Sequence, residues 1–520
     1  MTRFNFDAKA LGAVTFPSMQ SISVFLLVAL PWLNPFAPGP TPSAVPLLFS
    51  WPCAAVLLGV WSRRPDRLCA GRWMPAIAWA WLGAGLLSSV IGLCQYFGAA
   101  GNFSPWMSQT EVGEAFANLR QRNQFATLTS LSLAALLWLA ATGRFAGRGQ
   151  WLMGLAAGLL AAGNAASSSR TGLLQLGLLG ALWGMWGGWR HLVLRRVLLT
   201  ALGVYALATL ALPWLAGLDL SAQGMFARVR VGDPLCASRL TLWSNVLHLI
   251  AQKPWLGWGW GELDYAHYVT LYDGPRFCDI LDNAHNLPLH VAVELGVPAA
   301  LILCCGLLWW VWRQQPWREL DATRQLAWGV LAVIGLHSLL EYPLWYGPFQ
   351  MAVGLCVLML WQGPETGFEQ KFKPNRPLAH TLRAQIAIVL IAISGYAMWD
   401  YHRISQIYRA PEARDAAYHD DTMAKIHDSW LFRKQVRFAE LSITPLTQVN
   451  AQWTFDTAKA LLHYSPEPRV IEKVIESAVM LGLDDEALAQ LTRYRAAFPA
   501  DHARWAQGNA RLPELLQLVK

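Results

Sequence analysis

A chain of 520 residues that is 54% apolar and only 14% charged holds too little charge for a soluble domain, where about a quarter of residues are charged. That composition belongs to a polytopic membrane protein. The formal net charge of +8 gathers in short loops and gives no argument for nucleic acid.

Runs of about 20 apolar residues cross a bilayer core. Eleven candidates follow one another, at 16–33, 43–61, 74–97, 123–142, 150–166, 171–188, 194–216, 286–312, 324–340, 346–362 and 383–399. The first, FPSMQSISVFLLVALPWL, follows a weakly basic start (Arg3, Lys9) and lacks an A-x-A cleavage site, so it reads as a retained helix. Arg and Lys concentrate in alternate loops: Arg63/Arg64/Arg67/Arg72, Arg144/Arg148, Arg190/Arg195/Arg196, Arg313/Arg318/Arg324 and Lys371/Lys373/Arg376/Arg383. Under the positive-inside rule the N-terminus is cytoplasmic. Loops 98–122, 217–285 and 341–345, and the C-terminal tail, then face outward. The predicted organisation is a transmembrane domain over 1–362 with an outer loop at 217–285, a cytoplasmic linker at 363–382, a last span at 383–399 and an outward soluble domain over 400–520.

The tail changes character. FDTAKALLHY, the SPEP turn, RVIEKVIESAVMLG, DDEALAQLTRYRAAFP and a further short helix follow in series. Their apolar spacing (Ala458, Leu461, Leu462; Ile471, Val474, Ile475; Ala487, Leu488, Leu491) fits antiparallel helix pairs of the tetratricopeptide kind. The expected fold class is therefore all-α: a membrane helix bundle of about eleven spans with a large outer loop and a soluble helical domain.

Six of the eight cysteines lie in or beside apolar spans, where packing accounts for them. Cys236 and Cys278 share the long loop, and in an oxidising compartment they would pair; the alternative is two free thiols.

Polar groups collect on the outer face. NLRQRNQFATL opens span four with Arg120, Gln121, Arg122, Asn123 and Gln124. NAASSSRTGLL joins spans five and six with Arg170. The long loop carries CASRLTLW (Arg239), KPWLGWGWGELDYAHY and RFCDILDNAHN, which holds Asp282, Asn283, His285 and Asn286. EYPLWYG brings Glu341, Tyr342 and Tyr346. Each has a plain reading: arginines as headgroup contacts, GWGWG and Tyr342 as an interfacial aromatic belt, His285 as part of a capped helix start with Asn283 or Asn286 as cap. Together they are less plain. Arginines at three outer sites run against the inside bias, and a phosphate ligand explains them, because guanidinium forks onto phosphate oxygens. An imidazole beside such a site is a natural proton acceptor. No HExxH, zinc-spaced Cys/His pair, DxD or Walker loop occurs, and Asp279 with Asp282 is weak evidence for a cation. No metal or cofactor is expected.

These pieces resemble the O-antigen ligase and polymerase superfamily: SSSRTG at a span joint, SRLTLW followed by KPWLGWGWG, and DNAHNLPLHVAVELGVPAA opening the next span. RQRNQFA, EYPLWYGPFQMAVGL and the C-terminal helical domain resemble the bacterial protein O-oligosaccharyltransferases, the pilin-glycosylating enzymes of Neisseria type. The resemblance implies an inner-membrane enzyme with its active site and C-terminal domain in the periplasm. It would move a glycan from undecaprenyl pyrophosphate to a Ser/Thr hydroxyl of pilin or another periplasmic protein, without metal or nucleotide.

It also implies an essential His285, Arg170 and Arg239 on the pyrophosphate, and dependence on Gln121 and Tyr342; the residue chemistry adds His285 as general base and Arg122 on the pyrophosphate. On the same residue reading Gln121, Asn123, Asp282, Asn286, Tyr342 and Glu341 take supporting or substrate roles, and Asn283, Asn286 or Asp282 fixes the imidazole tautomer. Rival readings are an O-antigen ligase acting on lipid A-core, an O-antigen polymerase, and, from another class, a transporter or flippase. Glu294 bears on the last: it is either an intramembrane charge of the transporter kind or a structural partner for an arginine.

Overall fold

The computed structural model describes residues 18–37, 39–41, 43–63, 73–144, 149–219, 234–361 and 376–508. Residues 363–375 of the predicted linker, part 220–233 of the long loop, and Arg3, Lys9, Arg64, Arg67, Arg72, Arg148, Lys371 and Lys373 lie outside them. Every regular element among the described residues is helical.

Apolar runs without nearby turn chemistry become helices, since a backbone in lipid must satisfy its own hydrogen bonds. The α-helices are α1 (Met19–Leu33), α2 (Ala44–Arg63), α3 (Met74–Tyr96), α4 (Arg122–Ala141), α5 (Gln150–Ala166), α6 (Arg170–Met185), α7 (Leu192–Leu215), α8 (Arg239–Gln252), α9 (Leu263–Val269), α10 (Leu287–Leu295), α11 (Val297–Gln314), α12 (Ala322–Ser338), α13 (Gly347–Trp361), α14 (Arg376–Ser405), α15 (Thr422–Ile426), α16 (Arg433–Ile443), α17 (Ala451–Leu461), α18 (Pro468–Met480), α19 (Asp484–Ala497) and α20 (Pro499–Gly508). A helix thus falls on each of the eleven apolar stretches. Six, namely α2, α3, α4, α7, α11 and α14, are long and apolar enough to cross a membrane; α1 and α13 are shorter apolar helices. The chain is a multi-pass membrane protein.

The main core lies between α1–α7, α12 and α13. Small residues let helices close up: a Cβ on Gly85 of α3 would stand 2.0 Å from Ser132 Oγ of α4, the kind of close approach that membrane helix pairs rely on.

The long loop folds as a small unit around Leu242, Val246, Leu249, Leu263, Phe277, Leu281, Ala284 and Val293. Cys236 and Cys278 are bonded there, their Cα atoms 5.2 Å apart, and a closure of this length is worth about 3–4 kcal/mol against the unfolded chain. The C-terminal helices pack as antiparallel neighbours around Phe455, Leu461, Val470, Ile471, Val474, Leu491 and Tyr494, and Tyr268 of α9 inserts into that core.

The structure departs from the sequence reading at 286–312, which is two helices rather than one. Gly296 turns to φ +89° and separates α10 from α11. The reason lies in the GWGWG stretch, whose backbone runs against the break: the Val297 N–H donates to Pro254 O at 2.8 Å and the Trp258 N–H to Val293 O at 2.8 Å. An aromatic belt is therefore an incomplete account of that motif. Glu294 also differs from expectation. The Gly261 N–H donates to its carboxylate and His290 of the same helix lies 3.5 Å away; among the described residues no arginine pairs with it.

Candidate active site

Of the helices that begin on an arginine, three start beside one another: α4 on Arg122, α6 on Arg170 and α8 on Arg239. A cation in the first turn opposes the helix dipole, at about 0.3–1 kcal/mol each. The starts are held by side-chain caps. Gln121 accepts from the Gln124 N–H at 2.7 Å, Ser169 from Gly172 at 3.0 Å and Ser238 from Thr241 at 3.2 Å. Asn286 does the same for α10, accepting from Leu289 at 3.1 Å.

The three arginine-led starts open on one cavity of ≈ 420 Å³. Its lining includes Glu114, Arg120, Gln121, Arg122, Asn123, Arg170, Arg239, His285 and Glu341. Four arginines thus stand against two glutamates around one histidine. Such a surface favours an anion, both through guanidinium hydrogen bonds and through the positive helix ends.

Glu341 stands at the centre. Arg239 Nη2 donates to its Oε1 at 2.5 Å, Asn123 Nδ2 to the same oxygen at 3.0 Å, and His285 Nε2 lies 3.3 Å from Oε2. The carboxylate side chain is 11% exposed. Asn123 is held in turn by Ser169, whose hydroxyl donates to Asn123 Oδ1 at 2.5 Å, so α4 and α6 are tied at the cavity floor. Arg122 pairs with Glu114, and Arg120 Nη2 donates to Pro35 O at 2.7 Å.

His285 is fixed from its own loop. Nδ1 lies 3.1 Å from Asn283 O, and the His285 N–H donates to Asn283 Oδ1 at 2.9 Å. Both neighbours only accept, the Asn283 carbonyl beside Nδ1 and the Glu341 carboxylate beside Nε2, so a neutral ring donates to one of them at a time. His285 sits at φ +50°, an uncommon conformation in which His is enriched. Ala117, Arg120 and Ser168 are also left-handed, at φ 52°, 60° and 49°. Of these, Arg120 and His285 line the cavity, and strained backbone there is typical of sites whose surroundings impose the geometry.

Of the residues singled out from sequence, Gln121, Arg122, Asn123, Arg170, Arg239, His285 and Glu341 line the cavity together. Tyr342, Asp282 and Asn286 are not part of its lining. The Tyr342 ring meets His285 edge-on at 5.2 Å, and burial raises its phenol above the ordinary range. Asp282 is raised by burial, with the charge of His285 opposing that shift. Asn286 is a helix cap whose amide also reaches Leu339 O at 3.1 Å. Of the three residues read as fixing the imidazole, Asn283 is the one whose backbone carbonyl and side chain both meet His285. Sequence reasoning missed Glu114, for which no local signal exists: it meets Arg122 only because the 98–122 loop folds back.

Residues 155–304 match the family model described as O-Antigen ligase, which spans Arg170, Arg239 and His285. Residues 115–140 match one described as Protein glycosylation ligase, which spans Arg122 and Asn123. Residues 325–513 match one described as Virulence factor membrane-bound polymerase, C-terminal. The chain is 28% identical over 276 residues to a General O-oligosaccharyltransferase of Acinetobacter baylyi, covering 52% of this chain and 47% of that one. It is 26% identical over 284 residues to a ComP-specific O-oligosaccharyltransferase of the same organism, covering 54% and 50%. The chain thus spans about half the length of the curated relatives it matches. No solved structure matches. The resemblance to O-antigen ligases and protein glycosylation ligases read from the motifs holds.

Proposed function

We propose that this multi-pass membrane protein is a protein O-oligosaccharyltransferase. It takes a glycan from undecaprenyl pyrophosphate and transfers it en bloc to a Ser or Thr hydroxyl of pilin or another periplasmic protein. In this reading it sits in a bacterial inner membrane with the N-terminus cytoplasmic. The cavity and the C-terminal helical domain are periplasmic. One observation carries the proposal: three helices that each open on an arginine meet around a histidine whose Nε2 faces the same space.

The chemistry follows from that arrangement. The acceptor oxygen attacks the anomeric carbon, the bond from that carbon to the phosphate oxygen breaks, and its electron pair stays on the pyrophosphate. Arg170, Arg239 and Arg122 meet the charge that grows there, and preorganised donors are the strongest single means of doing so. His285 Nε2 takes the hydroxyl proton, help worth on the order of 10²–10⁴-fold for a weak nucleophile. The imidazolium so formed lies against Glu341. Glu341 holds Arg239 at 2.5 Å, so an arriving pyrophosphate competes for that guanidinium and leaves the carboxylate to His285. Gln121 and Asn123 offer amides to sugar or phosphate; Tyr342 backs the imidazole. No metal or cofactor enters any step.

A second reading is supported by the match of 155–304 to the O-Antigen ligase model: the same donor chemistry with a lipid A-core sugar as acceptor. The deciding experiment co-expresses the chain with a type IV pilin and an undecaprenyl-linked glycan in a host lacking its own lipid A ligase. Pilin intact mass is read beside lipopolysaccharide on a gel. Glycan on pilin that is lost with His285→Ala is the expected result. Glycan on lipid A alone moves the assignment to ligase, and unmodified products in both sink the transferase reading.

A further inference from the structure

We infer that residues 254–269 form a clamp through which the C-terminal helical domain sets the position of His285, and that Gly257 within it is a positioning residue. The inference rests on the transferase reading only where it speaks of reaction rate.

The break at Gly296 strips α10 of the helix continuation that would pair its last carbonyls. The loop backbone takes their place. The Trp258 N–H donates to Val293 O at 2.8 Å, the Gly259 N–H to Glu294 O at 2.9 Å, and Val297 donates back to Pro254 O at 2.8 Å. The two backbones are in direct contact. A Cβ on Gly257 would stand 2.4 Å from the Glu294 carbonyl carbon and oxygen, and one on Gly296 would stand 2.1 Å from Trp255 O. Only glycine fits at either place, and both have positive φ, +69° and +89°.

The clamped helix is short. α10 has nine residues, about 13 Å of rise, and starts two residues after His285, so a displacement at its clamped end is carried to the imidazole. α11 adds little hold on the other side, since only 6% of that span is buried.

The clamp's far end belongs to the C-terminal domain. Glu262 Oε2 meets His463 Nδ1 at 2.6 Å, and the Tyr265 ring stacks on His463 at 3.7 Å. The Tyr268 hydroxyl donates to Gln490 Oε1 at 2.7 Å from within that domain's core. One segment therefore grips the histidine-bearing helix with its first half and the soluble domain with its second.

Gly257→Ala and Gly261→Ala form a matched pair in the full chain. Both residues have similar positive φ, +69° and +74°, but a Cβ at Gly261 meets nothing within 4 Å. Steady-state transfer from an undecaprenyl-pyrophosphate glycan to pilin should show kcat falling about 10- to 100-fold for Gly257→Ala, as misplacement of about 1 Å can do. KM should be little changed, and Gly261→Ala should stay within about twofold of the parent. Equal rates for the pair overturn the inference.

Hydrogen exchange on the full chain decides independently of any activity, and decides alone where Gly257→Ala does not accumulate folded. With His463→Ala, amides of 254–259 and 286–295 should exchange faster together. Loosening confined to the C-terminal domain, or to 254–259 without 286–295, overturns the clamp. A parent chain with no transferase activity but coupled exchange sinks the functional reading and leaves the clamp standing.

Discussion

Helices α4 and α11 are both apolar enough to span a bilayer, yet 89% of one span is buried and 6% of the other. Lipid tails are as apolar as leucine, so apolarity no longer sorts inside from outside; small and hydroxyl residues do. α4 buries Thr127, Thr129, Ser130 and Ser132. Ser132 donates to Trp81 O at 2.6 Å, and Asn164 of α5 donates to Thr129 at 2.9 Å. α11 turns Leu301, Ile302, Leu308, Trp309 and Trp312 outward. One helix is the frame and the other a limb attached at its ends. The cavity draws on the frame and on the segment that leads into the limb: Arg122 and Asn123 open α4, while His285 stands just before α10, which precedes α11.

If the segment ahead of α10 carries the proton acceptor, His285→Ala should give the largest effect of any single change. Transfer in purified, reconstituted protein should fall on the order of 10²–10⁴-fold with thermal stability nearly unchanged. A rate within tenfold of the parent would remove the base from His285. The frame is broken differently. Gly85→Val forces a branched side chain into Ser132, whose Oγ would lie 2.0 Å from the new Cβ. Overpacking of this kind costs about 1–3 kcal/mol. The melting temperature in detergent and the folded yield should both drop, activity falling only in proportion to folded protein.

The sequence makes the frame legible because span length, loop charge and apolar runs report directly on what a bilayer requires. The arginine-led starts at Arg122, Arg170 and Arg239 were equally readable, since each lies at a span joint or loop motif. What stayed hidden depends on contacts far apart in the chain. Glu341 reads as one polar residue of EYP, and only folding places it between Arg239, 102 residues away, and His285. The split at Gly296 was hidden because a glycine inside an apolar run does not announce a helix end. It becomes one where the 254–259 backbone arrives to pair with the freed groups. The GWGWG motif was misleading for the same reason: its tryptophans drew attention, whereas its glycines make the contact.

A smaller effect is expected in α9, on the limb's clamp. Burial, with Glu262 and Asp282 nearby, lifts the Asp264 carboxyl to about 7. Folding therefore takes up a proton between the ordinary carboxylate range and pH 7. Asp264 favours the folded state fully below about pH 4, and that share is lost as pH rises through about 7. Asp264→Asn stays neutral throughout, so it should gain about 1–3 kcal/mol over the parent at pH 8, after allowance for partial exposure, and almost nothing at pH 4. Thermal melts at the two pH values measure this. An equal gain at both would point to packing instead of charge.

The smallest effect should come from Ile302→Ala on α11. Ile302 is 75% exposed, and in a bilayer its side chain meets acyl chains before and after folding, so truncation leaves no cavity in protein. Melting in nanodiscs should shift by no more than about 0.5 kcal/mol equivalent. The same truncation on the frame, Leu131→Ala on α4 where the side chain is fully buried, should cost about 2–5 kcal/mol. The contrast tests the comparison at its root. A loss at Ile302 approaching that at Leu131 would mean that α11 is covered by protein, which in a purified single-component sample leaves a second copy of this chain as the cover. The limb would then be a subunit contact, and the freedom the clamp restrains would already be restrained by the partner.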